Sequence, residues 1–178
     1  MIANSKEKFM VFIDGSNMFH GQKKLNFRMD YEKIRDVLQK NRFIIRFHYY
    51  EGYPLPLLPK KESFYSKLRH LGMTVKTRPL RKRPYKCEKC EYEKDISYEK
   101  GIDASLTTDL LWHAFQKNYN TAILLTGDDD FVPPIEVVKA LGRRVEIWTF
   151  EDFIGREMKK VADKINYIDD IIDNIKRE

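Results

Sequence analysis

Two stretches of this sequence run apolar without interruption and then stop on acid. Phe9 to Ile13 reads FMVFI and ends at Asp14-Gly15, and Thr121 to Thr126 reads TAILLT and ends at Gly127-Asp128-Asp129-Asp130. Apolar runs of this length suit strands buried on both faces of a parallel sheet. An Asp at a strand end ordinarily closes a turn or caps a helix, and each of these acids taken alone reads that way. Two such strands lying side by side would carry a different chemistry. Carboxylates gathered in one crevice repel one another and partly protonate unless a hard cation such as Mg²⁺ or Mn²⁺ offsets their charge.

The elements between the two runs decide whether they are neighbours. Ser16 is placed to cap a helix through Met18 and Phe19 to Lys24, and Asp30 to cap another carrying Ile34, Val37 and Leu38. A second strand is expected over Phe43 to Tyr50. Beyond a Pro-rich loop, Phe64, Leu68 and Leu71 sit at helical spacing, and Gly72 ends that helix before a short third strand, Met73 to Thr77. Ile102, Leu106, Leu110 and Leu111 predict a helix over Ile102 to Phe115. Phe131 to Leu141 reads as another, closed by Gly142 ahead of a fifth strand, Arg144 to Phe150. Strands alternating with helices imply a Rossmann-like α/β fold of three layers, with a mainly parallel sheet of about five strands. In the order 3-2-1-4-5 the first and fourth strands adjoin where the winding reverses, which is where such sheets bind ligands.

A chain of 178 residues is expected to form one domain over 1–178, with a basic insertion at 78–100 and a charged, mostly helical tail at 152–178. The net charge of +6 attracts anionic partners. No stretch has the ~20 apolar residues of a membrane span, and Met1 to Lys8 lacks the apolar run of a signal peptide, so a cytoplasmic protein with no membrane partner is expected.

The insertion has no apolar periodicity. It carries Arg78, Arg81, Lys82, Arg83, Lys86, Lys89, Lys94 and Lys100 with Tyr85, Tyr92 and Tyr98 interspersed. Clustered cations track phosphates and aromatic faces stack on unpaired bases, so Arg81, Lys82, Arg83, Lys100 and Tyr85 are candidate contacts to single-stranded RNA. The alternative is a solvated loop. Cys87-Glu88-Lys89-Cys90 supplies half of a zinc site, which a second pair from a homodimer partner or His ligands would complete; otherwise the pair is two free thiols.

Three segments in order, Ile13-Asp14-Gly15-Ser16-Asn17, Lys100-Gly101-Ile102-Asp103 with Leu106 and Asp109 after it, and Thr126-Gly127-Asp128-Asp129-Asp130-Phe131-Val132-Pro133, carry a family resemblance. With Leu141-Gly142-Arg143-Arg144-Val145 and Ala162-Asp163, they resemble the NYN domain of PIN-like nucleases, in its LabA-like branch, over most of Lys8 to Ile168. The resemblance implies a PIN-like three-layer fold and metal-dependent cleavage of RNA. By motif position it assigns Asp14, Asp103, Asp128 and Asp130 to the acidic, metal-holding cluster, and Asn17 to a hydrogen bond with a water or a phosphate. Asn17 could equally help to cap the first helix. Asp109, a little under two helical turns past Asp103, is expected behind the cluster, and Asp129 is expected to face solvent.

In that reading Mg²⁺ or Mn²⁺ acidifies a water and stabilises charge as the leaving oxygen departs, so no Ser, Cys or His nucleophile is needed. His48, His70 and His113 are expected to be structural, and only His20 lies near the crevice. Two other functions compete. One is a catalytically silent NYN-fold module that holds RNA or protein; the other is a phosphatase-like hydrolase using Asp14, disfavoured because Ser16 stands where a second Asp would be required.

Overall fold

A computed structural model describes residues 7–86 and 92–178. The apolar runs become β1 (Lys8–Asp14) and β6 (Thr121–Leu125), and the other strands are β2 (Phe43–Tyr53), β3 (Met73–Pro79), β4 (Arg81–Lys86), β5 (Glu93–Tyr98), β7 (Arg144–Thr149) and β8 (Lys164–Tyr167). Six of them form one parallel sheet in the order β3-β2-β1-β6-β7-β8. The expected order is therefore present, with six strands rather than about five.

Period-two alternation along β1 divides the core. Val11 and Ile13 face helices α1 (Gly15–Lys24), α2 (Tyr31–Gln39) and α3 (Pro59–His70), meeting Met18, Ile34, Leu38 and Leu68. Met10 and Phe12 face α4 (Ile102–Phe115) and α5 (Val132–Ala140), meeting Leu106, Leu110, Ile135 and Val138. Full burial of each of these side chains is worth roughly 1.5–3 kcal/mol, so the two layers fix β1 from both sides. With both faces covered, the polar ends of β1 and β6 are the parts of the central strands left to do chemistry.

The insertion, which has no apolar periodicity, forms β4 and β5, paired antiparallel as a separate hairpin from Arg81 opposite Tyr98 to Lys86 opposite Glu93. Two expectations are corrected. The tail is not mostly helical: it holds two single 3₁₀ turns, the four-residue helices α6 (Met158–Val161) and α7 (Ile172–Ile175), and the edge strand β8. Finally, Ser16 does not cap α1; Asp14 does, accepting the Asn17 backbone N–H at 3.0 Å. Cys87 and Cys90 lie outside the described residues. Among the described residues no helix is long and apolar enough to cross a membrane.

Candidate active site

The site is built where β1 and β6 end. Asp14, the last residue of β1, is buried. Its Oδ1 caps α1, and its Oδ2 accepts a hydrogen bond from Thr126 Oγ1 at 3.0 Å. Thr126 is fully buried and uses the same oxygen to accept the Asp128 backbone N–H at 3.3 Å. One hydroxyl thus ties the acid ending the first strand to the acidic turn after the sixth. Asp128 Oδ1 in turn accepts the Asp130 N–H at 2.9 Å, capping the 3₁₀ turn Asp129–Phe131 that leads into α5.

Asp103 arrives from the other side of the hairpin. Gly101 turns the chain at φ +84°, a left-handed conformation that favours glycine, and α4 begins with Asp103 in its first turn. A carboxylate there also faces the positive end of the helix. Asp14, Asp103 and Asp128 therefore stand at the N-terminal ends of three helical segments, α1, α4 and the 3₁₀ turn before α5.

Their mutual influence shows in protonation. Burial raises the Asp14 carboxyl to about 6, with Asp103 and Glu99 pushing the same way against the hydrogen bonds from Asn17 and Thr126. Asp103 lies at the exposed rim, yet desolvation in the crevice and then Glu99, Asp128 and Asp130 raise it as well. Asp103 is thus the group that feels the acids after β6 and is felt by Asp14.

Glu99 is the member that sequence reasoning missed. It follows β5 directly, and its Oε1 accepts hydrogen bonds from Ser16 Oγ and from the Gly52 N–H at 3.2 Å. It joins the hairpin root to α1 and to β2. Nothing marked it in advance, because it does not follow an apolar strand.

Other assignments sort differently. Asn17 Oδ1 is buried without a hydrogen-bond partner among the described residues, so an acceptor stands free beside Asp14. Asp129 is not solvent-facing: its Oδ1 accepts the Met158 N–H at 2.8 Å and anchors α6. Asp109 is engaged away from the cluster by Tyr50 at 2.6 Å and Lys76 at 2.7 Å. His20 is exposed on α1, edge-on to Phe19. Arg81, Lys82, Arg83 and Tyr85 are exposed on β4, with Arg83 over the Tyr98 ring at 5.6 Å, and Lys100 is exposed at the hairpin root.

Among the described residues, no three His, Cys, Asp or Glu side chains already stand close enough together to hold a metal. The donor chemistry nevertheless fits a hard divalent cation: the carboxyls of Asp14 and Asp103 are both raised by neighbouring acids, and the Asn17 amide oxygen has no hydrogen-bond partner among the described residues.

Gly127 keeps the arrangement tight. A Cβ there would lie 2.2 Å from the Phe153 carbonyl oxygen and 2.6 Å from Thr149 Oγ1, and the first of these is backbone that cannot swing aside. Gly127→Ala is expected to destabilise the fold by about 1–3 kcal/mol through overpacking, read as a lower denaturant midpoint. An unchanged midpoint would show that this turn has slack.

A parallel α/β sheet with an acidic crevice at its switch point defines the class of protein. The chain belongs to the NYN domain family, which it matches over residues 8–169, within the PIN-like nuclease superfamily. It is 24% identical to the low amplitude and bright protein LabA of Synechococcus elongatus, over 92% of this chain and 85% of that one. Its fold matches the crystal structure of a Vibrio parahaemolyticus protein of unknown function, with a TM-score of 0.77 and 20% identity, covering 99% of this chain and 100% of the other.

Proposed function

We propose that this chain is a ribonuclease that hydrolyses RNA phosphodiester bonds with a divalent cation, Mg²⁺ or Mn²⁺. The observation that supports the reading is that β1 and β6 lie side by side with their terminal acids tied through Thr126, while Asp103 raises the Asp14 carboxyl and is itself raised by Asp128 and Asp130. Those four residues would hold the cation, which supplies positive charge to the departing oxygen and acidity to a water. Thr126 fixes Asp14 relative to Asp128. Asn17 Oδ1 is free to accept a hydrogen bond from a water, and Glu99 holds the hairpin root against α1.

The hairpin delivers substrate. Arg81, Lys82, Arg83 and Lys100 contact the backbone and Tyr85 stacks on a base, which favours single-stranded RNA. Each phosphate contact on a single strand adds about 0.7 to the salt slope, so replacing Arg81, Lys82 and Arg83 by Ala should flatten it by up to about 2. An unchanged slope in fluorescence anisotropy would take RNA off the hairpin. Zinc at Cys87 and Cys90 remains part of the proposal, for which metal content is the direct readout.

The test of function is hydrolysis of labelled single-stranded RNA by chelator-treated protein, with and without added Mn²⁺. Cleavage restored by Mn²⁺ supports the ribonuclease. Binding without cleavage under both conditions would instead select the silent RNA-holding module.

A further inference from the structure

The acidic crevice has a second charged neighbour, on the face opposite α4. Two adjoining clefts of about 930 and 570 Å³ share Phe19, Gln22, Arg28, Lys60 and Arg177 in their walls, so they make one groove. It runs between α1 and the start of α3, and its floor is stitched where Met29 pairs with Lys176 and the Arg177 N–H bonds the Arg28 carbonyl at 2.7 Å. Gly15 lines it too, one residue from Asp14, so the groove begins at the edge of the carboxylate site.

Its charges are unbalanced. Lys61 is neutralised by Glu51 at 2.6 Å and Lys176 by Asp173 at 2.7 Å, while Lys67 lies 3.9 Å from Asp30 and Glu32. Lys23, Arg28, Lys60 and Arg177 are exposed and have no acidic partner among the described residues. The acids in the walls, Glu51 and Glu178, are engaged by Lys61 and, at 3.7 Å, by Lys33. Four uncompensated cations thus line a cleft in which the Phe19 ring is 52% exposed. Exposed rings among free cations are the means by which proteins hold single-stranded nucleic acid, the cations following phosphates and the ring taking a base. A surface that merely kept the chain soluble would not require a large aromatic ring in solvent at the centre of the positive charge.

We propose that this groove binds single-stranded RNA beside the acidic crevice, with Phe19 stacked on a base and Arg28, Lys60 and Arg177 on phosphates. The proposal rests on RNA as the substrate of the acidic crevice. The groove meets the crevice at Gly15, beside Asp14, and the hairpin root meets it at Glu99, whose carboxylate accepts the Ser16 hydroxyl, so both basic surfaces adjoin the crevice.

The test uses the full chain carrying Asp128→Asn and a labelled oligouridylate of about a dozen nucleotides, within the usual span of single-strand sites. Replacing Arg28, Lys60 and Arg177 together by Ala should flatten the salt slope by up to about 2, at about 0.7 per phosphate. Phe19→Ala should weaken binding between about fivefold and about 150-fold with the slope unchanged, as loss of one stacked base does. All four residues are exposed, and thermal unfolding verifies that the variants fold. Unchanged affinity and slope in the triple variant overturns the proposal, as does equal binding of poly-glutamate, which would mean that the groove answers to negative charge alone. Hydrolysis is read separately on chains with Asp128 intact. If RNA is cut but the triple variant binds normally, the groove fails and the ribonuclease stands; if RNA binds through the groove and is never cut, the reverse holds.

Discussion

Replacing Asp128 by Asn is expected to leave a folded protein whose Mn²⁺-dependent cleavage of RNA is lost by at least about a hundredfold, since removing even a partner of a metal ligand costs about 10- to 100-fold. The fold should survive because the one hydrogen bond that the side chain accepts among the described residues, from the Asp130 N–H, can equally be accepted by an Asn oxygen, and Asn caps as well as Asp. What changes is one negative charge facing Asp103. With that repulsion gone the metal-free protein should be no less stable than the parent. The measurement is initial rate against Mn²⁺ concentration beside a thermal unfolding curve. Equal rates for the variant and the parent would remove Asp128 from the site.

His48→Phe is expected to gain stability over the parent as the solution is acidified. His48 is buried on β2, stacked between Phe12 at 5.3 Å and Tyr50 at 6.2 Å, and neither ring nitrogen has a hydrogen-bond partner among the described residues. Burial, and then the neighbouring His113, lower its pKa from 6.5 to about 4, against the pull of Asp109. The unfolded chain therefore takes up a proton between pH 6.5 and 4 that the folded chain resists, so the stability that the neutral ring allows is lost as pH falls through that window. At 1.36 kcal/mol per pH unit the difference between His48→Phe and the parent should widen by about 3 kcal/mol. Asp14 acts with the opposite sign in almost the same range, because its raised carboxyl favours the folded state as pH drops. Comparing the two proteins removes that contribution, which they share. Denaturant midpoints at pH 7 and pH 4 decide it: a constant difference would mean that His48 titrates normally.

Much of the frame could be read from residue order. FMVFI and TAILLT are legible because both faces of a central strand are covered, leaving no polar position to blur the pattern. KINY at β8 was not legible: it is four residues long, sits at the sheet edge and is only partly buried. The hairpin failed for a related reason, since every residue of RKRPYK is exposed and no alternation marks it. Asp14 and Ser16 are both good caps, and the chain alone does not show that α1 starts at Gly15, which leaves Asp14 as the cap and Ser16 donating to Glu99, 83 residues away. Among three consecutive acids the chain itself could not show that Asp129 turns inward, because its partner is the Met158 N–H in a segment 29 residues later. The resemblance to NYN domains assigned Asp14, Asp103, Asp128 and Asp130 by motif position, and the pairing of β1 with β6 sets the strand ends that carry Asp14 and lead to Asp128 side by side. Thr126 belongs to one of those segments, but its hydroxyl's tie to Asp14, 112 residues earlier, could not be read from it, and Glu99 lies just before another segment with no pattern of its own.

The hairpin also bears on how such proteins could diversify. Arg81 and Tyr98 are directly paired, so the chain leaves the sheet and returns through a gate only about 4.5–5.5 Å wide. Whatever lies between those two residues can lengthen, shorten or change composition without altering the register of β3 or the start of α4. The arm is in effect an exchangeable cassette mounted on a constant scaffold, and a donor arm joined at Arg81 and Tyr98 would carry its own RNA preference to an unaltered cutting edge.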